Sequence, residues 1–340
     1  MTYVRFLSLL LAVCIPAAAQ VARRSPKVIP MRILVPLCLA ICSLYGQAGK
    51  LAAPSTGFVF DQSTHALRQI QGIPGAALVG TPVDFGLTIT AAWVAPRLDS
   101  AFVLAADGQA HLFRLSANAP SERAVDSLGA PQNVVFSPSG TAAALYSPGS
   151  VQVIKGLPDA PAAAAPVRLR PNPRSRHQLP ETLAISDDGA YLLYSSGGPI
   201  ELIGVAGNNR QVMESGDGAV AAFAPGAHDA AIVNSTKLTL YQDIAGAATE
   251  RSFAGIASPS AMAFSPDSQK LLIASATGRA VTTIQVASGD SSALTCDCTP
   301  SALIPMGSVF RLNELGSGPL WLLDTASDRG LVFVPAPSTN

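Results

Sequence analysis

Residues 261–278 read AMAFSPDSQKLLIASATG: an alternating apolar run, a Pro-Asp turn, a second apolar run and a glycine. Closely similar stretches begin at Asn133 (NVVFSPSGTAAALYSPG) and at Thr182 (TLAISDDGAYLLYSSGG). Alternating apolar residues on both sides of a Gly-, Pro- or Asp-containing turn are typical of an antiparallel hairpin. The stretch therefore predicts one hairpin motif that recurs along the chain.

The hairpin motif has a regular spacing. Its turns are separated by 42, 49, 38, 41 and 39 residues and lie at Pro96, Pro138, Asp187, Pro225, Pro266 and Pro305. A second mark falls seven residues before four of these turns, at Pro131, Pro180, Gly218 and Pro259. Such a period is typical of β-propeller blades of four short strands, and the sequence lacks the 3.6-residue periodicity of helical repeats.

One unit can be divided into strands by its turn residues. From Thr182 onward, TLAIS, AYLLYS, PIELIGV and RQVMESG are predicted strands, separated by residues that tolerate positive φ. Six units are clear from Leu87 to Ala336, and FVFDQ, ALRQIQG and AALVG predict a seventh upstream that lacks an inner strand. We therefore predict an all-β protein, a propeller of seven four-stranded antiparallel blades over residues 50–338, with six blades as the alternative. We expect the two chain ends to pair and close the ring.

The segment 1–48 has the composition of a targeting region. MTYVRFLSLLLAVCIPAAAQ has a basic residue, an apolar stretch and a small-residue cleavage site, and MRILVPLCLAICSLYGQAGK repeats that pattern from Met31. We predict export to the periplasm, the cell envelope or the medium, through one signal or two in tandem, with Met31 as a candidate true start. Each apolar stretch is shorter than the roughly 20 residues of a membrane-spanning helix. We therefore expect no membrane span in the mature chain, with an uncleaved or lipid-modified anchor as the alternative.

Charge and motifs exclude several classes of function. Beyond residue 48 the chain has 17 Lys and Arg against 22 Asp and Glu, a net charge of −5, which is unlike a nucleic-acid-binding protein. The four histidines, His65, His111, His177 and His228, share no position in the repeat. No P-loop, G-x-S-x-G or G-x-G-x-x-G motif is present. We therefore predict no catalytic residue, no cofactor and no metal site, and favour a protein that is not an enzyme.

The turns FSPDS, FSPSG and ISDDG resemble the F-S-P-D-G phrase of WD-like propeller repeats in bacterial envelope proteins, TolB-type propellers among them. The turns APRLD, APGAH and IPMGS depart from that phrase, and the Gly-His and Trp-Asp pairs of eukaryotic WD repeats are absent. The resemblance covers most of the chain after residue 48, and it implies the architecture alone.

Cys296 and Cys298 are the cysteines that follow residue 48. On a strand, residues i and i+2 lie about 6.6 Å apart, close to the upper limit of about 6.8 Å for the Cα atoms of a disulfide. In an oxidising compartment we expect a local disulfide, provided that the strand bends toward Thr299 and Pro300. Two free thiols are the alternative.

The 49-residue spacing reflects an insertion, residues 156–181, that is rich in Pro, Ala and Arg. Its Pro-Ala tract is expected to be extended and partly mobile. Positive charge is concentrated there on an otherwise acidic chain, at Arg168, Arg170, Arg174 and Arg176. We hypothesise that this segment docks an anionic partner, such as a lipid head group, an acidic polysaccharide or an acidic protein face. The alternative is a solvated loop.

A second candidate surface lies just before the inner strands, at one mouth of the axial channel. Its residues are Gln132, Asn133, Glu181, Ser260 and Ser301. They are candidates for binding a peptide or a partner loop, or they only cap strand ends. The sequence thus favours an exported, non-enzymatic propeller that acts in protein or envelope recognition or as a scaffold. The alternative is a hydrolase or lactonase with its active site in the axial channel.

Overall fold

The described chain is built from β-strands. The computed structural model of the protein describes residues 54–336, except for 117–118, 171–178, 208, 215–217, 227 and 327–329. These residues form 28 strands in seven antiparallel sheets. They include no helix, and hence none that is long and apolar enough to cross a membrane. The prediction of an all-β propeller with seven blades is confirmed, and the six-bladed alternative is wrong.

Each blade is one contiguous stretch of chain in which consecutive strands pair, except that β11 and β12 of blade 3 both pair with β10. Blade 1 contains β1 (Ser55–Asp61), β2 (Ala66–Gln71) and β3 (Leu78–Pro82), and blade 2 contains β4 (Ile89–Val94), β5 (Ser100–Ala105), β6 (Ala110–Arg114) and β7 (Ser121–Arg123). Blade 3 contains β8 (Asn133–Phe136), β9 (Ala142–Ser147), β10 (Ser150–Lys155), β11 (Ala162–Ala163) and β12 (Val167–Arg168). Blade 4 contains β13 (Thr182–Ile185), β14 (Tyr191–Ser195), β15 (Ile200–Gly204) and β16 (Arg210–Glu214). Blade 5 contains β17 (Val220–Phe223), β18 (Ala230–Val233), β19 (Lys237–Gln242) and β20 (Thr249–Ala254). Blade 6 contains β21 (Pro259–Phe264), β22 (Lys270–Ser275), β23 (Ala280–Gln285) and β24 (Ser291–Thr295). Blade 7 contains β25 (Ile304–Met306), β26 (Val309–Arg311), β27 (Leu320–Asp324) and β28 (Gly330–Val334).

The first strand of each blade lies innermost. Strand β13 contacts β8 and β17, β17 contacts β21, and β1 contacts β4 and β25, so first strands of neighbouring blades meet around the axis. The hydrophobic core lies between adjacent blades; one cluster, for example, joins Val233 and Leu238 of blade 5 to Leu271 and Ile273 of blade 6. Small side chains on the inner strands, such as the VAAF of β17, allow this close approach near the axis.

A buried serine explains why the hairpin motif recurs. Ser137, Ser186 and Ser265 open the turn between the first and second strands of blades 3, 4 and 6, and each is at most 3% exposed. Each hydroxyl accepts a hydrogen bond from the backbone N–H five residues later, at 3.1, 3.0 and 2.9 Å. Gly140 and Gly189 end two of these turns with φ of 72° and 63°, a conformation that favours glycine. The repeated phrase is therefore a structural turn.

Blade 4 matches its predicted strands closely. The predicted segments TLAIS, AYLLYS, PIELIGV and RQVMESG correspond to β13, β14, β15 and β16, with ends that differ by at most two residues. Agreement is close because every boundary coincides with a local turn signal.

Blade 1 differs from the prediction in which strand it lacks. Its inner strand is present as β1, and it is the outermost fourth strand that is missing, because only residues 83–88 separate β3 from β4. The expected pairing of the chain ends is also wrong for the described residues, since β28 pairs with β27 and the blade 1 strands pair among themselves. Side chains close this seam instead: Val59 and Ile70 of blade 1 pack in one cluster with Met306, Val309 and Leu320 of blade 7.

Blade 3 makes its outermost strand from the insertion. Strands β11 and β12 both pair with β10, and residues 164–166 interrupt them. The Pro-Ala tract is therefore extended, as expected, but Ala162–Arg168 belongs largely to the sheet and is not a separate mobile loop. Residues 171–178 of the insertion lie outside the described residues.

Candidate functional site

An open, polar depression of about 450 Å³ lies at the junction of blades 3 and 4. One wall is the chain at the end of β12, and the other is the hairpin between β15 and β16. The depression is lined by Arg168, Leu169, Arg170, Asn209 and Arg210. Two of the four arginines predicted to dock an anionic partner, Arg168 and Arg170, thus line the same cavity, whereas Arg174 and Arg176 lie outside the described residues.

Strand alternation places the two arginines on one side of the chain. Val167 and Leu169 are buried, at 3% and 6% exposure, in the core between blades 3 and 4. Arg168 and Arg170 are exposed. Because alternate residues of an extended chain point to opposite sides, burying Val167 and Leu169 turns both guanidinium groups outward. The backbone N–H of Leu169 donates to the Gly149 carbonyl (2.9 Å) and fixes this register beyond the end of β12.

Arg210 fixes the other wall. Its Nη1 lies 2.7 Å from Glu201 Oε2, and the two side chains are only 11% and 15% exposed. Its Nη2 donates a hydrogen bond to the backbone carbonyl of Arg168 in the neighbouring blade. Arg210 is therefore neutralised by Glu201 and holds the backbone at Arg168 in place.

Arg168 and Arg170 differ from Arg210 because neither guanidinium pairs with a described residue. The equivalent junction of blades 5 and 6 shows the contrast. There Arg251 donates to the carbonyls of Val286 and Ala287, at 2.9 and 3.1 Å, and lies 5.3 Å from the ring centre of Phe253. The arginine of that junction is used internally, whereas the positive charge between blades 3 and 4 faces solvent.

The second predicted surface consists of residues at the starts of inner strands, in blades 3, 4, 6 and 7. Gln132, Glu181 and Ser301 are exposed, and Asn133 is half-buried as the first residue of β8. Ser260 Oγ donates to the carbonyl of Pro300, in the connection that leads from blade 6 to blade 7 (2.7 Å). The hydroxyl of Ser260 therefore holds the connection between blades 6 and 7 against the inner strand of blade 6. A role of Ser260 in partner binding stays a prediction, as it does for the other four residues.

Cys296 and Cys298 are bonded to each other in the structure, with Cα atoms 5.1 Å apart. Both are buried, at 8% and 7% exposure, and pack in the core between blades 6 and 7. They follow β24, where the chain turns toward the inner strand of blade 7. Burial of both sulfurs indicates a structural role in this connection.

The described histidines lie in three separate places. His65 occupies an exposed turn of blade 1, and His111 Nδ1 lies 2.7 Å from Glu122 in blade 2. His228 Nε2 lies 3.0 Å from Asp188, and its Nδ1 lies 3.8 Å from Asp243. His177 is outside the described residues. No group of three or more His, Cys, Asp or Glu among the described residues is arranged to hold a metal ion.

The inner strands give no catalytic constellation in the part of the chain that the structure describes. Asp61 is the one charged residue on strands β1, β4, β8, β13, β17, β21 and β25. It is 5% exposed and accepts hydrogen bonds from Ser63, Thr64 and Arg68. Burial raises the pKa of Asp61, but these hydrogen bonds outweigh it and hold the pKa well below its ordinary value. Asp61 is thus engaged within blade 1.

Sequence reasoning missed two lining residues of the depression, Asn209 and Arg210, and Glu201, which pairs with Arg210. Arg210 and Arg168 are 42 residues apart and come together only when blade 4 packs on blade 3. Their types also give no local signal, since charged and polar residues are common on outer strands. An alignment of the blades would have placed Arg168 beside Arg210, because the outer strand of one blade lies next to the outer hairpin of the following blade.

Comparison with known proteins supports the fold. No protein-family model matches the chain, and no curated protein matches it in sequence. A protein from Lactobacillus plantarum matches in structure with a TM-score of 0.57 and 15% identity, covering 83% of this chain and 96% of its own. Apo AztD from Citrobacter koseri matches with a TM-score of 0.54 and 11% identity, covering 83% and 95%. A protein from Bacteroides fragilis proposed to be a 6-phosphogluconolactonase matches with a TM-score of 0.54 and 14% identity, covering 83% and 94%. At these identities the likeness shows the fold alone: the chain is a seven-bladed β-propeller.

Proposed function

We propose that the protein is an exported, non-enzymatic recognition propeller that binds an anionic partner at the depression between blades 3 and 4. We call Arg168 and Arg170 the arginine pair of this site. Arg174 and Arg176 follow in the same segment and extend its positive charge along the sequence. The repeats belong, in this proposal, to the WD-like type of bacterial envelope propellers, on the strength of their F-S-P-D-G-like turns.

The observation that carries the proposal is the unpaired state of the arginine pair. Two guanidinium groups flank one depression without a hydrogen bond or ion pair to a described residue. Arg251, at the equivalent junction of blades 5 and 6, donates to two carbonyl oxygens. Arginines that only keep a surface soluble do not need to line one cavity. They also do not need a largely buried ion pair, such as that of Arg210 and Glu201, beside them.

Long-range electrostatics favour the same site. Beyond residue 48 the chain has a net charge of −5, so the chain as a whole repels an anion. A local concentration of positive charge on such a protein steers an anionic partner to one place. The attraction weakens as salt is added, because the Debye length falls from about 10 Å at 0.1 M to about 3 Å at 1 M.

Binding of purified protein to three anionic probes tests the proposal. The probes are polygalacturonate, phosphatidylglycerol vesicles and a poly-glutamate peptide. Wild type is compared with an Arg168→Ala/Arg170→Ala variant and with an Arg97→Ala/Arg114→Ala control. The control removes the same charge from two surface ion pairs whose arginines are 42% and 41% exposed.

We expect at least one probe to bind wild type and the control alike, and to bind the site variant about tenfold more weakly or worse. That loss corresponds to about 1.4 kcal/mol, the scale of one hydrogen bond to a charged group. Equal losses in both variants would mean non-specific charge attraction and would overturn the proposal. Binding that is equally strong for wild type and for the Arg168→Ala/Arg170→Ala variant would overturn the proposal as well.

A further inference from the structure

The chemistry of the depression narrows the class of partner, if the proposed function holds. We infer that the site binds an acidic polysaccharide, a chain of carboxylate-bearing sugar units. The arginine pair would form ion pairs with carboxylates, and Asn209 would form a hydrogen bond with a sugar hydroxyl. Four observations lead to this: the polar lining, the open shape, the spacing of the arginine pair and the position of Asn209.

The lining is hydrophilic. Three of its five residues are arginines, one is Asn209, and the one apolar residue, Leu169, is 6% exposed with its side chain in the core. Protein partners are usually anchored by large apolar or aromatic side chains in desolvated pockets. The described lining offers no apolar or aromatic wall for such an anchor, and it suits a ligand that is polar throughout.

The shape is open and concave. A volume of about 450 Å³ lies within the roughly 300–1,000 Å³ range of small-ligand sites, but this depression is not enclosed. An open trough lets a polymer chain enter and leave while a short segment of it is held. A bilayer surface, in contrast, is flat at this scale and meets a concave junction between two blades poorly.

The arginine pair is spaced for a repeating ligand. Arg168 and Arg170 are i and i+2 on an extended segment, so their Cα atoms lie about 6.6 Å apart on one side of the chain. The guanidinium fork matches a planar carboxylate with two parallel hydrogen bonds. Two neighbouring acidic sugars can therefore present one carboxylate to each arginine.

Asn209 and Arg210 complete the site. Asn209 is exposed in the hairpin of blade 4 and carries both a donor and an acceptor. It lines the same depression as the arginine pair, and in this inference it contacts hydroxyl groups of the same chain. Arg210, held by Glu201 at 2.7 Å, keeps the backbone carbonyl of Arg168 in position. Arg210 is a positioning residue in this scheme and touches no ligand itself.

The test measures affinity of the full-length protein for oligogalacturonates and for the same oligosaccharides after methyl esterification, which removes their charge. We expect binding of the free acid, a loss of about tenfold or more for the ester, and a similar loss for the Arg168→Ala/Arg170→Ala variant. An Arg168→Lys/Arg170→Lys variant keeps the positive charge but lacks the planar guanidinium group, and its affinity for the free acid should fall several-fold. The Arg97→Ala/Arg114→Ala control and unchanged melting curves exclude a folding defect.

The outcomes separate this inference from the proposed function. Arginine-dependent binding to phosphatidylglycerol vesicles or to poly-glutamate, without binding to oligogalacturonate, would overturn the polysaccharide and leave the anionic site standing. Equal affinity for the acid and the ester would also overturn it. Failure of all three anionic probes to bind in an arginine-dependent way would overturn both.

Discussion

The carboxylate of Asp187 in blade 4 accepts a hydrogen bond from the backbone N–H of Gly226 in blade 5, at 2.6 Å. Its other oxygen accepts from the N–H of Ser139 in blade 3, at 2.8 Å. All five of the other aligned turns have Pro at the position of Asp187, and the ISDDG turn alone has Asp. One carboxylate thus ties the inner turns of three successive blades.

Loss of this link should destabilise the propeller. Asp187→Ala leaves two N–H groups without their acceptor, and we expect a loss of about 1–3 kcal/mol in the free energy of unfolding. Urea denaturation measures this loss in the free energy of unfolding, and the m-value should be the same for wild type and variant. Pro266→Ala, at the matching position of blade 6, removes no such link and should cost less than about 1 kcal/mol. Equal effects of the two changes would contradict the role given to Asp187.

The Asp61 network predicts a pH dependence of stability. Burial raises the pKa of Asp61, but hydrogen bonds from Ser63, Thr64 and Arg68 outweigh it, so the folded pKa lies well below the ordinary value near 3.8. A group with a depressed folded pKa adds stability above its unfolded pKa, and that stability is lost as pH falls toward the folded pKa. The melting temperature of wild type should therefore fall toward that of Asp61→Asn below about pH 4.

Asp297→Asn is the control for this pH series, because the Asp297 side chain is 99% exposed. Its melting temperature should follow that of wild type at every pH. A constant gap between wild type and Asp61→Asn down to about pH 2 would show that the ionised form of Asp61 is not what stabilises blade 1.

Arg311 in blade 7 is a buried charge with incomplete compensation. Its side chain is 10% exposed, Nη2 lies 2.8 Å from Glu314, and Nε has no hydrogen-bond partner among the described residues. Burial lowers the pKa of Arg311, and Glu314 offsets this only in part. Because removing a buried charge also removes its desolvation cost, Arg311→Met should keep or raise the melting temperature.

Glu314→Gln should act in the opposite direction, since Arg311 then keeps its charge without a partner. The loss should be near 1 kcal/mol, because the Glu314 side chain is 51% exposed and screened by solvent. A large drop in melting temperature for Arg311→Met, exceeding that of Glu314→Gln, would mean that the guanidinium has further partners that stabilise the blade.

The Cys296–Cys298 bond predicts the thiol chemistry of the exported protein. Alkylation in denaturant without reductant should label neither residue, and labelling of both would show that the bond is absent. The closed loop spans three residues, so the chain-entropy contribution is only about 1.6 kcal/mol. A Cys296→Ser/Cys298→Ser variant should accordingly remain folded, with a modest loss of melting temperature.

The targeting prediction is tested by the mass of the mature protein. Cleavage after Ala48 is expected to leave Gly49 as the first residue, and cleavage after Ala19 would indicate that the first signal acts alone. Recovery of the chain from cells with residues 1–48 intact would contradict the prediction of a removed signal.

The repeat and blade 4 could be predicted from the sequence because their signals are local. The turn after β13 is specified by Ser186 and Gly189, which lie three residues apart and are joined by a hydrogen bond across the turn. Strand ends follow from such turns without knowledge of the neighbouring blades. The exposure of Arg168 and Arg170 was predictable in the same way, from charge alternating with Val167 and Leu169.

The seam and the far wall of the depression were not predictable, because they depend on contacts between distant segments. Blade 1 has a degenerate turn, DQSTHA, without the proline mark, so its missing outer strand was assigned to the wrong end of the unit. Gly57 approaches Met306 across the seam, where an added Cβ would lie 2.8 Å from Sδ. Nothing near either residue in the sequence indicates that close approach.

Closure of the ring by packing has a consequence for the history of the chain. In the described residues every sheet is encoded by one uninterrupted segment, and no strand is borrowed across the seam between blades 7 and 1. An in-frame duplication or deletion of about 40 codons would then add or remove one whole sheet, and no remaining sheet would be left a strand short. Gene-level changes of blade number are therefore compatible with the folding of every other unit, and the seam, which no strand pairing crosses in the described residues, is where a new unit would be accommodated.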